Sequence, residues 1–123
     1  YLGGSELVAC CEVMVMAKQL GMDVENLFQI INKSTGRNFA SEMAIPGFLK
    51  HRDFTPKFTT DLFYKDINIA MQTADELKLP VTIGPATLQA FGATRAMGCG
   101  QEHSIAVVKY YEALAGVKVN EED

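Results

Sequence analysis

The hydrophobic and polar positions of this chain repeat at helical spacing over most of its length. Between residues 7 and 20, apolar side chains point in nearly every direction around a helix, a pattern typical of a helix that is buried on all sides or covered by a partner. Gly21 supplies a stop for this helix, and Asp23 can cap a second helix, which we predict over residues 24–32.

The middle of the chain predicts a short helix followed by an ordered loop. The helix covers residues 39–44 and is ended by Pro46-Gly47. Residues 48–57 mix charged side chains, aromatic rings and a proline, a composition that indicates an ordered loop.

Three further helices complete the prediction. The first ends near residue 78, because the residue before Pro80 avoids helical dihedral angles. The second ends near residue 97, and the third covers residues 103–115. Thr59 or Thr60 caps the first of these helices, Thr82 caps the second, and Gly116 ends the third.

The fold class predicted from these elements is all-α, with about six helices. We expect one all-α domain over residues 1–116 and a short acidic tail over residues 117–123 that frays. The chain does not begin with methionine and opens inside a helix, so we expect it to be a piece of a longer protein.

Composition and charge exclude several classes of partner. Eleven Lys and Arg against fifteen Asp and Glu leave a formal charge of −4, which argues against nucleic-acid binding. No polybasic run suggests a membrane surface, and the longest apolar stretch is short and interrupted by Glu12. His51 and His103 are isolated, so no metal is expected. Reduced, buried thiols are the favoured interpretation of Cys10, Cys11 and Cys99.

Lys65 lies in an apolar stripe of the helix that follows Thr59. Phe58, Leu62, Lys65 and Ile69 project within about 60° of one another, so one side of the helix presents a cation framed by apolar groups. Two interpretations remain open, a lysine aimed at an anion or a cofactor and a lysine that extends its ammonium into water. The opposite side can join the core through Phe63, Ile67, Ala70 and Ala74.

Three other polar residues are candidates for chemistry. Arg37 can bind a carboxylate through two hydrogen bonds, or it can stabilise its loop by contacting backbone carbonyls. Glu12 is favoured as a carboxylate paired at an interface or at the rim of its helix. Ser104 directly follows His103, and adjacent residues of a helix do not face each other, so a Ser–His nucleophile pair is not expected.

Several ordered motifs resemble a known family. Together they are similar to the C-terminal domain of the β-hydroxyacid dehydrogenases, which include 3-hydroxyisobutyrate dehydrogenase, tartronate semialdehyde reductase and glyoxylate reductase. The resemblance covers nearly the whole chain and implies a bundle like the C-terminal domain of 6-phosphogluconate dehydrogenase. The motifs are Glu12-x8-Gly21-Met-Asp23, Ser34-Thr-Gly36-Arg37, Phe58-x3-Leu62-x2-Lys65-Asp66-x3-Ala70, Leu79-Pro80 and Gly98-x-Gly100-x-Glu102-x-Ser104.

The resemblance implies roles for individual residues. Lys65 would reach across a cleft to the nicotinamide end of NAD or NADP, and Phe58 would form part of the same wall. Asn68 and Arg37 would line the substrate side of the cleft. The family's catalytic lysine and the Rossmann domain that holds most of the cofactor would precede Tyr1, so no catalytic residue is expected in this chain.

The expected parent protein is an oxidoreductase that transfers a hydride to or from a small 2- or 3-hydroxy acid or semialdehyde. It would be a cytoplasmic homodimer or homotetramer, and this piece alone would be inactive. Two alternatives differ from this expectation. In the first, the chain is a non-catalytic helical dimerisation module. In the second, it is the C-terminal domain of an imine-reductase-like relative.

Overall fold

The computed structural model describes residues 1–121, which form six α-helices, one π-helical segment and one short 3₁₀ turn. Within this range the only extended pairing is an isolated antiparallel bridge between Thr59 and His103. The predicted all-α fold is confirmed. The helices are α1 Leu2–Gln19, α2 Val24–Ile31, α3 Ile45–His51, α4 Thr60–Glu76, α5 Ile83–Ala96 and α6 Val107–Ala115, with the π-helical segment at Ala40–Ala44 and the 3₁₀ turn at Ser104–Ala106.

Helix α1 lies at the centre of the bundle. It packs against α5, α6, α2 and the π-helical segment, while α4 and α5 form an antiparallel pair beside it. The interior is filled by large side chains that are fully buried, among them Met14, Ile45, Ile67 and Phe91. Burial of these groups supplies the main driving force for the fold.

One face of α1 remains exposed within the chain. Leu7, Cys11 and Met14 are buried, whereas Met16 and Leu20 are 55% and 77% exposed. Burial of this helix on all sides by the chain itself is therefore a wrong prediction. The alternative, that a partner covers the exposed face, stays a prediction.

The helix starts were predicted with mixed success. Asp23 Oδ1 accepts a hydrogen bond from the Asn26 N–H at 3.0 Å, and Thr59 Oγ1 accepts one from the Leu62 N–H at 3.2 Å. Both predicted caps are confirmed, and they satisfy N–H groups that have no partner inside the helix. Thr82 stands at the predicted position before α5 but makes no capping hydrogen bond through its side chain.

The predicted end of a helix at Pro46 is wrong. The π-helical segment runs directly into α3, and Pro46 lies in the first turn of that helix. Proline is tolerated there because the first N–H groups of a helix need no partner within it. The helix ends instead at Arg52, which adopts a left-handed conformation with φ 45°, so part of the predicted loop is helical.

The chain after α6 is held against the bundle. Val119 is fully buried, its N–H donates to Glu112 Oε1 at 2.7 Å, and its carbonyl accepts from Arg52 Nη1 at 2.7 Å. The expectation that the segment frays from residue 117 onward is wrong at Val119, because these hydrogen bonds and the buried side chain fix it. The acidic residues at positions 122 and 123 lie outside the described part of the chain.

Candidate functional site

Helix α4 has one buried side and one exposed side. Ile67 is fully buried on the core side, whereas Phe58, just before the helix, and Leu62 and Ile69 are 40%, 42% and 54% exposed on the other. The Lys65 side chain is 60% exposed, and its Nζ lies 3.5 Å from Asp66 Oδ1. The predicted exposure of Leu62, Lys65 and Ile69 on one side of α4 is confirmed. We call these three residues together with Phe58, which precedes the helix, the Lys65 stripe.

Aromatic packing fixes one end of the Lys65 stripe. Phe91 of α5 is fully buried, and its ring stacks on Phe63 with centroids 5.0 Å apart. Phe63 in turn meets Phe58 edge to face at 5.2 Å. Such aromatic contacts have defined geometry, so the exposed Phe58 ring is oriented by the core.

The segment between α5 and the 3₁₀ turn positions the start of α4. The Asp61 N–H donates to the Gly100 carbonyl, and the Thr60 N–H donates to the Glu102 carbonyl, both at 2.9 Å. The Ser104 N–H donates back to the Phe58 carbonyl at 2.9 Å. Residues 100–104 therefore fix the start of α4 through backbone hydrogen bonds, and we call this segment the brace of α4.

Asp61 joins this brace to α5. Its carboxylate accepts hydrogen bonds from Arg95 Nε at 2.6 Å and Gln101 Nε2 at 2.8 Å. The Arg95 guanidinium also lies over the Tyr64 ring, 4.2 Å from its centroid. The hydrogen bonds from Arg95 and then Gln101 lower the pKa of Asp61 below its usual value.

Replacing Gly100 by alanine should destabilise the protein by about 1–3 kcal/mol. An added Cβ would lie 2.5 Å from Asp61 Oδ1, which forces the carboxylate away from Arg95 and Gln101. Urea unfolding measures the change. Gly47→Ala is the control, because nothing lies within 4 Å of a Cβ there, and it should leave stability unchanged or raise it by up to about 1 kcal/mol. Equal stability of the two variants would contradict the proposed brace.

The other predicted site residues are placed as follows. Asn68 is half-buried on α4, one turn after Lys65. Arg37 is exposed, and its Nε lies 3.5 Å from Glu42 Oε1; no recorded hydrogen bond or ion pair within residues 1–121 joins it to the Lys65 stripe. Their roles, like those of Lys65 and Phe58, stay predictions.

Glu12 occupies the rim of α1, as the sequence favoured. It is exposed, and its charge acts on the side chain of Tyr111 on α6. Burial, and then the charge of Glu12, raise the pKa of the Tyr111 hydroxyl. The polar neighbour of Glu12 on α1 is therefore Tyr111 on α6.

An apolar cavity of about 460 Å³ is lined in part by Phe58 and was not foreseen from the sequence. The cavity also receives His103 and Ser104, which reach it because Thr59 and His103 form a bridge between distant parts of the chain. No short sequence motif predicts the pairing of Thr59 with His103. Its apolar lining includes Leu7, Phe39, Met43, Phe58 and Phe63, and we call this space the Phe58 cavity.

His103 presents one ring nitrogen to its surroundings. Its Nδ1 accepts a hydrogen bond from the Ile105 N–H at 3.2 Å, which leaves Nε2 to carry the proton of the neutral ring. Burial, and then the positive charge of Lys57, lower the pKa of His103, while Asp53 acts in the opposite direction. The imidazole is therefore a neutral hydrogen-bond donor at pH 7.

Metal binding and membrane insertion are two other classes of site to consider. Residues 1–121 contain no group of three or more His, Cys, Asp or Glu side chains arranged to hold a metal ion. None of their helices combines the length and apolar character needed to cross a membrane. Cys10, Cys11 and Cys99 are buried, as predicted, and burial raises the pKa of each thiol.

Sequence comparison identifies the family. Residues 1–111 match the family described as NAD-binding of NADP-dependent 3-hydroxyisobutyrate dehydrogenase, and the chain belongs to it. The chain is 33% identical over 117 residues to 2-(hydroxymethyl)glutarate dehydrogenase of Eubacterium barkeri, covering 95% of this chain and 39% of that protein. It is 31% identical over 113 residues to L-threonate dehydrogenase of Cupriavidus necator, covering 92% and 38%.

Solved structures agree with this assignment. A 3-hydroxyisobutyrate dehydrogenase from Salmonella typhimurium superposes with a TM-score of 0.82 at 26% identity, covering 89% of this chain and 38% of that one. The enzyme of the same name from Mycobacterium tuberculosis has the same fold, with a TM-score of 0.80 at 24% identity and 89% and 40% coverage. The predicted resemblance to the β-hydroxyacid dehydrogenases is confirmed, and the chain spans about two-fifths of the length of these relatives.

Proposed function

We propose that this chain is the C-terminal cleft domain of an NAD(P)-dependent oxidoreductase that acts on a small 2- or 3-hydroxy acid by hydride transfer. The observation that carries the proposal is Lys65, a cation within exposed apolar side chains on a helix whose other side is locked into the core. The two relatives named above support the proposed activity, because both are hydroxyacid dehydrogenases. The chain covers only 38–39% of their length, which supports its assignment as one domain of a longer enzyme.

The Lys65 stripe fits one end of a nicotinamide cofactor. The faces of Phe58, Leu62 and Ile69 offer apolar surface for a flat ring, and the ammonium between them offers a charge for an anionic group. No glycine-rich phosphate loop occurs in the sequence, so a Rossmann domain outside this chain would make most contacts to the dinucleotide. When bound, the nicotinamide would supply or accept the hydride.

Each residue of the stripe has a distinct part in this proposal. Lys65 contributes positive potential where negative charge develops on the substrate, and Asp66, 3.5 Å away, helps to hold its side chain. Phe58 and Leu62 exclude water from the closed cleft, which strengthens the electrostatic effect of Lys65. The lysine that acts as general acid and base would lie upstream of Tyr1. Asn68 and Arg37 are secondary candidates for the substrate side.

A second exposed surface of the chain can serve subunit assembly. Met16 of α1 and Leu20 just after its end form an exposed apolar strip that a second subunit can cover. We therefore keep the homodimer or homotetramer as part of the proposal, with dimerisation and cleft formation served by different faces of the chain. A purely structural dimerisation module would use the α1 face and leave Lys65 without a role.

The proposal is tested by assaying the full-length protein that contains this chain. With NAD or NADP and a panel of small 2- and 3-hydroxy acids, we expect at least one acid to reduce the cofactor, followed by its absorbance. The chain without a Rossmann domain should show no turnover. Absence of turnover with every acid and both cofactors would reject the proposed activity.

A further inference from the structure

A second, smaller cavity of about 230 Å³ adjoins the Phe58 cavity beside the end of α3. Met43, Ala44 and His103 line both spaces, so the two have one boundary in common. Met43 is 63% exposed and Ala44 has only a methyl group, so this boundary lies open to solvent and one molecule can contact both spaces. We call the smaller space the Lys57 pocket, and its other polar lining residues are His51, Asp53, Thr55 and Lys57.

The Phe58 cavity is an apolar space whose walls are partly exposed. Phe39, Met43 and Phe58 are 73%, 63% and 40% exposed, and all three line it. Large apolar side chains gathered around one concave space are typical of a ligand site, because a bound apolar group removes several of them from water together. At about 460 Å³ the cavity is large enough for a short aliphatic chain or a single aromatic ring.

The Lys57 pocket supplies charge and hydrogen-bond donors next to this apolar space. Burial and then the positive charge of Lys57 lower the pKa of His103, so the ammonium acts on a residue that lines both spaces. The neutral His103 ring accepts a hydrogen bond at Nδ1 and carries its proton on Nε2, which makes Nε2 a donor. A cation and a donor therefore lie where the two spaces meet.

One acidic residue of the Lys57 pocket opposes Lys57. Asp53 Oδ1 accepts a hydrogen bond from the Thr55 N–H at 2.8 Å, and this backbone contact holds the carboxylate within its own loop. Its negative charge offsets part of the potential of Lys57 in the pocket. We therefore expect a small anion such as acetate to bind weakly, and an anion that also fills the Phe58 cavity to bind better.

We propose that the Phe58 cavity and the Lys57 pocket form one binding site for an organic anion with an apolar body, such as an arylalkanoate. The apolar body lies in the Phe58 cavity. The carboxylate lies at the boundary near Lys57, where His103 Nε2 donates a hydrogen bond to it. The inference goes beyond the proposed function and makes no use of Lys65.

The two parts of the site contribute differently to binding. Transfer of the apolar body from water supplies most of the affinity, because the exposed walls of the Phe58 cavity leave water at the same time. Lys57 is exposed, so its attraction for the carboxylate is screened and should change the affinity by only about three- to tenfold. The charge therefore selects the anion over a neutral molecule of the same shape.

The test measures binding to the full-length protein without cofactor by isothermal titration calorimetry. The probes are 4-phenylbutanoate, its neutral amide 4-phenylbutanamide, and acetate. We expect the aryl carboxylate to bind about three- to tenfold more tightly than the amide, and acetate to bind at least about tenfold more weakly than either. Equal affinities of the aryl carboxylate and the amide, or no binding of either, would overturn the inference.

Two pairs of matched variants locate the site. Lys57→Met removes the cation and should abolish the preference for the carboxylate over the amide, whereas Lys33→Met, at an exposed lysine outside both linings, should preserve it. Met43→Glu adds a negative charge at the boundary and should weaken carboxylate binding by about tenfold or more, with a smaller change for the amide. Met97→Glu, at a site 44% exposed and outside both linings, should change neither affinity.

The variants also give the results that would contradict the site. An unaltered carboxylate preference in either Lys57→Met or Met43→Glu would overturn the inference, because the anion would then lie elsewhere. Equal binding of the charged and neutral probes would instead favour an occupant recognised by apolar contact alone, such as a segment of another domain or of a second subunit. None of these measurements requires turnover, so failure of this site and failure of the proposed dehydrogenase activity are observed separately.

Discussion

Replacing Glu112 by alanine should lower the free energy of unfolding by about 3–5 kcal/mol. Glu112 is only 5% exposed, and its two oxygens accept hydrogen bonds from Arg52 Nη1 and Nη2 at 2.7 and 2.8 Å. These hydrogen bonds raise the pKa of Arg52. An arginine stays protonated even without such a partner, so the variant leaves a largely buried cation unpaired by Glu112. The variant also deprives the buried Val119 N–H of its acceptor.

Chemical denaturation of wild type and variant measures this difference. Glu121→Ala is the matched control, because Glu121 meets Arg52 at 3.5 Å and its side chain is 47% exposed. The control should change stability by less than about 1 kcal/mol, as exposed ion pairs do. A Glu112 variant as stable as the control would show that the buried pair does not hold the end of the chain.

The second large effect is expected at Lys65. In the full-length protein, Lys65→Met should lower kcat/KM by roughly 10²–10³-fold, because a fixed positive group aimed at developing charge is lost. Lys65 is exposed within this chain and makes no core contact that methionine would disturb, so the fold should persist. Steady-state kinetics with cofactor and acid varied separately measure the change.

Lys78→Met serves as the control for this substitution. Lys78 is exposed just beyond the end of the same helix and lies outside the Lys65 stripe. It should leave kcat/KM unchanged, whereas Lys65→Arg should retain part of the activity because the charge remains. Unaltered kinetics in Lys65→Met would reject a role for this lysine in the cleft.

Local patterns were enough to predict α4 and its two faces. Phe63 and Ile67 repeat at helical spacing on one side and Leu62 and Lys65 on the other. The cap was narrowed to Thr59 or Thr60 from the neighbouring residues, and the structure has Thr59. These features depend on residues within a few positions of one another. The exposure of the stripe followed directly from that pattern.

Features that depend on distant residues were missed. Val119 is held by hydrogen bonds from its N–H to Glu112 and from Arg52 to its carbonyl, and Arg52 and Glu112 bind each other. The sequence around Val119 does not predict that ion pair. His103 reaches the Phe58 cavity through a bridge to Thr59. In both cases the partners are brought together only by the packing of the whole bundle.

The prediction that a helix ends at Pro46 was wrong for a different reason. Pro46 is equally compatible with the end of one helix and the first turn of the next, because both positions lack a need for its N–H. The structure selects the second option, with Ile45 and Phe48 buried on α3. Burial of Phe48 and Leu49, which follow Pro46, decides between the two.

The most direct test of the cleft proposal measures the accessibility of the Lys65 amine. In the full-length protein, reductive methylation followed by peptide mass spectrometry should show Lys65 protected when the dinucleotide cofactor and a hydroxy acid are bound, while Lys78 is labelled equally with and without them. Equal labelling of Lys65 in the two states would contradict the claim that this lysine faces the cofactor across a cleft.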